Sequence, residues 1–357
     1  MPLSSLPGDP ALRVGLAGYG TGGRQFHAPA LRGAGLEVAA VATSSAERAE
    51  QVRAELPGAL VVPDLEALLG VDDLDLIVLA TPTGLHAEQA ERVVEAGVAV
   101  VVDKPLARTA SEAQHVVDAA AHRGVPLSVF QNRRYDPELA ALTAVRDEGL
   151  IGQIRRAEYR WDRWRPEPKQ RWRETQTADE GAGLLLDLGA HLIDQAVILH
   201  GEVESVYAEL SAHTVVAEDD FFVACRHTSG IVSHVMATSV NGAPGPRARL
   251  MGSTGAYVIG RQFDEVSAFA DFESADGTVG WVVRGEVREP GPAVGPSDQA
   301  AFYRSVAAAL RSDDPQAAMP VDPRDAVHVL AVIDAARTSQ QARRVVEVLT
   351  PGEAPGS

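Results

Sequence analysis

Two polar side chains lie four residues apart in an otherwise apolar segment. Asp187 and His191 interrupt a run of leucine, alanine and isoleucine residues between 184 and 193. On a helix, residues four apart share one face, with about 5–6 Å between their Cβ atoms. A carboxylate and an imidazole are costly in apolar surroundings unless they pair with each other or are used. We therefore expect the two side chains to be paired with each other or to be functional. A two-ligand metal site is possible, but no third ligand is evident, so a metal is not predicted.

A third polar residue, Lys104, follows Asp103 and the apolar segment 98–102. In an open α/β sheet, ligands bind at the carboxyl ends of the strands. This position therefore favours a functional lysine over a surface lysine at a strand end. As a cation, Lys104 would stabilise negative charge that develops on a reacting oxygen.

A glycine-rich turn lies near the beginning of the chain, between the apolar segment 13–17 and a predicted helix at 25–33. In a dinucleotide fingerprint, the first glycine permits a tight turn and the second lets the backbone approach the pyrophosphate. The third allows a helix to pack closely on a strand, and the phosphates lie on N–H groups at the helix N-terminus. We therefore expect dinucleotide binding by Gly18, Gly20, Thr21, Gly22 and Gly23.

The residues after the second predicted strand bear on the choice between NAD and NADP. NAD enzymes usually carry an acidic residue there for the ribose hydroxyls. This chain instead has Thr43, Ser44 and Ser45, followed by Arg48. Their hydroxyl and guanidinium groups could accept a 2′-phosphate, although Ser44 or Ser45 could also cap the next helix. NADP is therefore the favoured cofactor and NAD the alternative.

Short apolar segments alternate with helix-period segments through the first part of the chain. Predicted strands lie at 13–17, 36–43, 74–80, 98–102 and 127–130, and predicted helices at 25–33, 45–56, 85–96 and 109–122. This alternation predicts an α/β fold of Rossmann type, a doubly wound parallel sheet covered on both faces by helices. We place this domain at residues 1–131.

The pattern changes in the second part of the chain. Predicted helices lie at 137–149, 184–200, 298–310 and 324–343, and predicted strands at 153–164, 203–216, 220–227, 231–239 and 247–259. Strands in succession predict an α+β domain with a mostly antiparallel, open-faced sheet. We expect a substrate-binding and oligomerisation domain at 132–350, whose closing helix could also pack on the first domain, and a flexible tail at 351–357.

The composition narrows the class of protein. A chain of 357 residues with 45% apolar and 23% charged residues suits two packed domains. The formal net charge of −17 argues against nucleic acid as a partner, because it repels phosphate backbones. Cys225, the lone cysteine, lies in an apolar segment and is expected to be an inert buried thiol. Because no segment could cross a bilayer and residues 1–10 show no secretory pattern, we expect a soluble cytoplasmic protein without a membrane partner.

The order of these features resembles the Gfo/Idh/MocA oxidoreductase family over nearly the whole chain. The resemblance is carried by the glycine turn, the segments 81–86 (TPTGLH) and 103–105 (DKP), and Asp187-x-x-x-His191. Segments similar to the scyllo-inositol dehydrogenase-like branch are 26–29 (FHAP), 128–134 (SVFQNRR), 162–166 (DRWRP) and 171–174 (RWRE). The chain departs from these patterns at Asp103, where the family usually has Glu, and at 297–298, where the branch tends to have Gly-Tyr.

The resemblance implies catalytic roles for three residues. Lys104 matches the family's catalytic lysine, which contacts the nicotinamide ribose and the substrate hydroxyl. His191 matches the residue that takes the hydroxyl proton, and Asp187 matches the carboxylate that holds the hydroxyl. The aromatic and arginine side chains between 161 and 173 suit a polyol pocket, with Arg163 and Trp172 as candidate substrate residues. The same segment is equally well explained as an amphipathic strand and a solvated basic loop.

The resemblance also implies cofactor contacts by Thr81, Pro82, His86, Lys104 and Asn132. The predicted activity is NAD(P)-dependent oxidation of a secondary hydroxyl of a cyclic polyol or sugar, inositol-like, by reversible hydride transfer. The alternatives are a cofactor-binding sensor without turnover, a scaffold, and a reductase of a related carbonyl or imine. An open sheet face must be covered, so a homodimer or homotetramer through the second domain is expected.

Overall fold

The computed structural model describes residues 11–169, 172–260, 278–349 and 351. Its strands are β1 (Arg13–Ala17), β2 (Glu37–Ala42), β3 (Leu60–Val62), β4 (Leu76–Leu79), β5 (Ala99–Asp103), β6 (Leu127–Phe130), β7 (Ile154–Asp162), β8 (Val203–Ser211), β9 (Asp220–His227), β10 (Val232–Thr238), β11 (Ala248–Gly252), β12 (Ala256–Ile259), β13 (Trp281–Arg284), β14 (Val287–Pro290) and β15 (Val346–Glu347). Its α-helices are α1 (Ala28–Gly33), α2 (Ala46–Glu55), α3 (Leu65–Leu69), α4 (His86–Glu95), α5 (Ala110–Arg123), α6 (Pro137–Asp147), α7 (Trp172–Thr175), α8 (Ala190–His200), α9 (Ala300–Leu310) and α10 (Pro323–Ala342).

The described residues form two compact units. Unit 1 takes its residues from Met1–Asp103, His115–Phe130 and Asp298–Pro323. Unit 2 takes its residues from Lys104–Gln114, Gln131–Ser297 and Arg324–Ser357. No helix in the described ranges combines the length and the apolar character that a membrane crossing requires.

Unit 1 contains a six-stranded parallel sheet in the order β3-β2-β1-β4-β5-β6. All four residues of β4 are fully buried, as expected for a strand with helices on both sides. The strand order reverses at β1, which pairs with β2 on one side and β4 on the other. This is the topological switch point at which open α/β sheets bind ligands. The predicted doubly wound Rossmann fold is confirmed.

Two elements of unit 1 do not follow from the apolar pattern. The three-residue strand β3 lies at the sheet edge and is half-exposed, so it lacks the uniformly apolar run that marks the inner strands. The short helix α3 follows it and is capped by Asp64, whose Oδ1 accepts the N–H of Ala67 at 2.8 Å.

The predicted first helix begins earlier than expected, as a π-helical segment, Gly22–His27, that continues into α1.

Unit 2 contains a nine-stranded sheet in the order β14-β13-β12-β11-β7-β10-β9-β8-β15. Only β7 and β10 pair in parallel, and the other neighbours are antiparallel. Alternate residues of β9 and β10 are buried, which is typical of a sheet with one packed face. The predicted mostly antiparallel sheet is therefore confirmed.

The single strand predicted at 247–259 is wrong. The segment forms two antiparallel strands, β11 and β12, joined by a turn in which the N–H of Gly252 donates to Gly255 O at 2.8 Å. The predicted helix at 184–200 also differs, because it begins as a π-helical segment, Leu185–Gly189, before α8. Cys225 is buried on β9, and burial raises the pKa of its thiol to about 12, as an inert thiol requires.

Candidate active site

The glycine turn of unit 1 requires glycine for two steric reasons. Gly18 has a positive φ of 94°, and a Cβ there would lie 2.6 Å from the carbonyl oxygen of Ala80. A Cβ at Gly23 would lie 2.0 Å from the carbonyl oxygen of Gly18. Any side chain at either position would therefore force the backbone apart.

A Cβ at the second glycine of the turn, Gly20, would meet no steric clash. The nearest atoms to a Cβ at Gly20 belong to the guanidinium group of Arg48, at 3.8 Å. Thr21 precedes the π-helical segment that follows the turn, and its side chain does not cap the N–H groups of that segment, of which Arg24 N–H donates to Gly20 O at 2.9 Å. An open backbone, uncapped N–H groups and a nearby cation fit the pyrophosphate of a dinucleotide.

The residues predicted to select the cofactor surround the beginning of α2. Ser45 caps this helix, because its Oγ accepts the N–H of Arg48 at 3.3 Å, and its own N–H donates to Thr43 Oγ1 at 3.3 Å. Ser44 is exposed, and the Arg48 side chain reaches back to Gly20. The capping role considered for Ser45 is thus present, and it leaves Ser44 and Arg48 accessible beside the turn.

Two hydrogen bonds within the chain stabilise the segment that follows β4. Thr81 Oγ1 donates to Gln89 Oε1 at 2.6 Å, and His86 Nε2 donates to the carbonyl oxygen of Thr81 at 2.8 Å. His86 is buried, whereas Pro82 is exposed at the start of the turn Thr83–Leu85. His86 therefore supports the backbone of Thr81, and Pro82 presents the accessible surface of this segment.

Unit 2 brings Lys104 and Asp187 into direct contact. Lys104 Nζ donates to the carbonyl oxygen of Asp187 at 2.8 Å and to its Oδ1 at 3.0 Å. The Lys104 side chain is 10% exposed, and that of Asp187 is 29% exposed. Asp187 lies in the π-helical segment Leu185–Gly189, and such segments are frequent at functional sites. The contact orients the ammonium group and leaves part of the carboxylate accessible.

His191 lies one turn further along, in the first turn of α8, and is buried. Burial lowers the pKa of its imidazole well below 6.5, and the positive charges of Lys104 and Arg133 lower this pKa further. His191 Nδ1 has no hydrogen-bond partner among the residues that the structure describes. The side chain is therefore a neutral imidazole at neutral pH, with a ring nitrogen available for proton transfer.

Three guanidinium groups surround the indole of Trp161 at the end of β7. Their central carbons lie 3.9 Å from the ring centroid for Arg247, 4.8 Å for Arg133 and 5.1 Å for Arg163. The His191 ring lies 6.2 Å from the same indole. This arrangement places a cationic aromatic wall beside the candidate base.

Arg247 was not predicted as part of the site. Its Nε donates to Glu138 Oε2 at 3.0 Å, and both side chains are buried. The two residues are 109 positions apart, and no periodic pattern in the sequence marks either of them as a partner of Trp161. The only signal available to sequence reasoning was an arginine at the beginning of an alternating strand segment.

The remaining predicted site residues are distributed around unit 2. Arg163 and Asp187 line one cavity, together with Arg165, Glu174, Thr214 and Ser239. Asn132 is buried in the turn Asn132–Tyr135. Trp172 begins α7, but its side chain lies outside the described residues. Among the described residues, no group of three or more His, Cys, Asp or Glu side chains is arranged to hold a metal ion.

The chain matches two models of protein families. Residues 12–131 match the oxidoreductase family with an NAD-binding Rossmann fold, GFO_IDH_MocA, and residues 139–258 match the GFO/IDH/MocA C-terminal domain. These two matches cover the glycine turn, Lys104 and the pair Asp187 and His191.

Similar proteins include dehydrogenases of known substrate. The chain is 31% identical over 350 residues to scyllo-inositol 2-dehydrogenase (NADP(+)) IolW of Bacillus subtilis, covering 94% of this chain and 95% of that protein. It is 36% identical over 152 residues to levoglucosan dehydrogenase of Pseudarthrobacter phenanthrenivorans, covering 42% and 38% of the two chains. An NAD-binding protein of Listeria innocua has a similar structure, with a TM-score of 0.80, 26% identity, and coverage of 95% of this chain and 97% of that one.

Proposed function

Since this chain belongs to the GFO/IDH/MocA oxidoreductase family and is an NAD(P)-dependent oxidoreductase, we propose that it oxidises a secondary hydroxyl of an inositol-like cyclic polyol or sugar. The observation that carries the proposal is the grouping in unit 2 of Lys104, Asp187 and a neutral His191. Loss of a hydride from an alcohol carbon requires loss of the hydroxyl proton, and these residues supply a base, a cation and an orienting carboxylate.

The three side chains have complementary roles in this proposal. His191 is neutral because burial and nearby cations disfavour its protonated form, so it can accept the hydroxyl proton at neutral pH. Lys104, held by Asp187, stabilises the negative charge that develops on the substrate oxygen. The accessible part of the Asp187 carboxylate accepts a hydrogen bond from the substrate hydroxyl and so orients it.

Unit 1 would hold the dinucleotide. The glycine turn from Gly18 to Gly23 would take the pyrophosphate, and Thr81 and Pro82 would line the path of the cofactor. When bound, the nicotinamide supplies the hydride acceptor. No acidic residue follows β2 before Glu47, and Arg48 lies beside Gly20, which supports NADP over NAD as the preferred cofactor. The similar protein of Bacillus subtilis is named as an NADP(+) enzyme, which supports the same choice of cofactor.

The wall around Trp161 supports a polyhydroxylated substrate. An indole face suits the C–H groups of a polyol ring, and guanidinium groups donate hydrogen bonds to its hydroxyls. Arg163 belongs to this wall and also to the cavity that contains Asp187. The named substrates of the relatives, scyllo-inositol and levoglucosan, belong to the same chemical class.

We further propose that the open face of the unit 2 sheet is covered by a second copy of this chain. Phe222 and Met236 are half-buried on this face, and the exposed pair of Arg249 and Glu158 provides charges of both signs. A surface with an apolar centre and both charges can be self-complementary about a two-fold axis. Sedimentation of the full chain tests this, with a dimer or tetramer expected and a smaller assembly expected for Phe222→Glu.

A cytoplasmic location is part of the proposed function and is supported by the dependence on NAD(P).

A substrate panel tests the proposed reaction. Purified protein is assayed with scyllo-inositol, myo-inositol, glucose and xylose, each with NADP and with NAD, and reduction of the nicotinamide is followed by absorbance. Turnover of at least one polyol, faster with NADP, is expected. Absence of turnover with every polyol and sugar, in protein that binds the dinucleotide, would contradict the proposal. That result would favour a sensor or a reductase of a carbonyl or imine.

A further inference from the structure

His27 is a fully buried histidine of unit 1 that the proposed reaction does not use. It ends the π-helical segment after the glycine turn, and its exposed fraction is 0%. Its ring packs on Phe130, with 4.4 Å between the ring centroids. A neutral imidazole carries its proton on only one ring nitrogen, so the neighbours of a buried ring decide which nitrogen that is.

Tyr303 decides the position of the proton. Its hydroxyl oxygen lies 2.5 Å from His27 Nδ1, and it has no other hydrogen-bond partner in the described part of the chain. Burial raises the pKa of the Tyr303 phenol well above 10, and the nearby Asp103 raises it further, so the hydroxyl keeps its proton. When the Tyr303 hydroxyl donates to Nδ1, the N–H group of the His27 ring is at Nε2.

The Nε2–H group of His27 faces a carboxylate. Asp103 Oδ1 lies 3.6 Å from Nε2, which is longer than a hydrogen bond, and Nε2 has no hydrogen-bond partner among the described residues. A buried N–H group without an acceptor is costly, so Nε2–H draws the carboxylate towards it. An unprotonated Nε2 would instead repel the carboxylate. Hydrogen-bond donation is therefore favourable in one direction only. Tyr303 donates to His27, and His27 points its N–H group at Asp103.

The other oxygen of Asp103 lies against the glycine turn. A Cβ at Gly22 would be 2.9 Å from Asp103 Oδ2. Asp103 ends β5, and the carboxyl ends of the strands are where an open α/β sheet binds its ligand. A carboxylate repels phosphates and accepts hydrogen bonds from hydroxyls, so the part of a dinucleotide that suits this position is a ribose hydroxyl.

We propose that His27 and Tyr303 are positioning residues that hold the Asp103 carboxylate beside Gly22, where it accepts a hydrogen bond from a ribose hydroxyl of the bound dinucleotide. This inference rests on the dinucleotide binding of the proposed function. His27 and Tyr303 act on affinity through the proton on the His27 ring, and neither residue takes part in hydride or proton transfer to the substrate.

Tyr303→Phe tests the inference because it removes one hydroxyl and keeps the aromatic ring. The hydrogen bond that fixes the orientation of the His27 ring is then lost, so Nε2–H is no longer held towards Asp103. The dissociation constants of NADPH and NADH, measured by fluorescence of the reduced nicotinamide, are expected to rise roughly ten-fold. Tyr159→Phe is the matched control, since it removes a buried hydroxyl that lies 2.6 Å from the Nε2 of another histidine, His200, in unit 2. Its dissociation constants should equal those of the parent.

A double-mutant cycle separates positioning from a merely structural effect. Asp103→Asn removes the negative charge that attracts Nε2–H, so the position of residue 103 then depends less on the orientation of the His27 ring. In the Asp103→Asn background, Tyr303→Phe should therefore change the dissociation constant by less than about two-fold. The same ten-fold loss in both backgrounds, or parental affinity in Tyr303→Phe, would overturn the inference. Failure of the parent to bind either dinucleotide would instead overturn the proposed function.

Discussion

Lys104 Nζ donates two hydrogen bonds to a single residue, one to the carbonyl oxygen of Asp187 and one to its Oδ1. The backbone bond fixes the ammonium group independently of the carboxylate, and the carboxylate bond balances its charge. One face of the π-helical segment Leu185–Gly189 therefore orients a cation and presents an acceptor.

Two substitutions in the glycine turn should separate folding from cofactor binding. Gly20→Ala adds a methyl group whose three nearest atoms belong to the Arg48 guanidinium, at 3.8–3.9 Å, so the melting temperature should change little. The dissociation constant of NADPH should rise at least ten-fold, because the methyl group stands where the pyrophosphate approaches. Gly23→Ala should lower the melting temperature itself, because its Cβ would lie 2.0 Å from Gly18 O. Calorimetry and fluorescence titration measure the two effects, and parental cofactor affinity in Gly20→Ala would contradict this account.

Arg247 and Arg249 lie two positions apart but should differ in their contribution to stability. Arg247→Met leaves the buried carboxylate of Glu138 without its cationic partner, although Gln195 Nε2 still donates to Oε1, and should cost about 3–5 kcal/mol in the free energy of unfolding. Arg249→Met removes an ion pair in which the Arg249 side chain is 44% exposed and that of Glu158 17% exposed, and should cost about 0–1 kcal/mol. Urea unfolding of both variants measures the difference. Equal losses would mean that the Arg247–Glu138 pair does not anchor the wall around Trp161.

The buried histidine His200 should make stability depend on pH. Burial, mainly, lowers its pKa from 6.5 to about 3, and its Nε2 lies 2.6 Å from the Tyr159 hydroxyl. Between pH 6.5 and pH 3 the unfolded chain binds a proton at this residue that the folded chain does not. The free energy of unfolding should therefore fall as the pH falls through this window, by up to about 1.4 kcal/mol per pH unit.

His200→Gln provides the control for that titration, because a glutamine carbonyl can still accept from the Tyr159 hydroxyl but does not titrate. Urea unfolding at several pH values between 4 and 7 should give a shallower pH dependence for the variant than for the parent. Identical slopes would show that His200 is not the source of the acid sensitivity.

Arg133 should influence the pH dependence of catalysis through His191. Its positive charge is one of the causes that lower the pKa of His191, after burial and Lys104. Arg133→Gln removes that charge, so the pKa of His191 should rise. The acid limb of the kcat/KM profile should then move to higher pH, because the base must be neutral to accept a proton. An unchanged limb in a profile recorded from pH 4 to 9 would argue against His191 as the titrating base.

The sequence predicts the local elements of this fold better than it predicts the contacts between them. The inner strands of unit 1 are recognisable because burial on both faces makes them uniformly apolar. The edge strand β3 is half-exposed and carries no such pattern. The π-helical segments are also hidden, because one extra residue per turn changes the hydrogen bonding without changing the type of residue required.

The residues of the candidate site also fall into those that the sequence identifies and those that it does not. Lys104, Asp187 and His191 can be identified because each is a polar residue in an apolar segment with a definable place on a strand or helix. The partners of Trp161 and His27 cannot be identified in this way. Arg247 and Tyr303 reach them through tertiary packing, and the His27–Tyr303 contact joins residues 276 positions apart. Periodicity reports which face of an element is buried, not which distant residue packs on it.

The chain contains only two lysines, Lys104, which contacts Asp187, and the exposed Lys169, which lines the cavity that contains Asp187, so a pair of substitutions separates the cation at Asp187 from a second cation of that cavity. Turnover of the best polyol in the panel is measured for Lys104→Met and Lys169→Met, together with the dissociation constant of NADPH. For Lys104→Met we expect kcat to fall by at least 10²-fold, with NADPH binding retained within about ten-fold, because the cation that stabilises the developing negative charge is lost. Lys169→Met should keep kcat within about three-fold. Near-parental polyol oxidation by Lys104→Met would contradict the account.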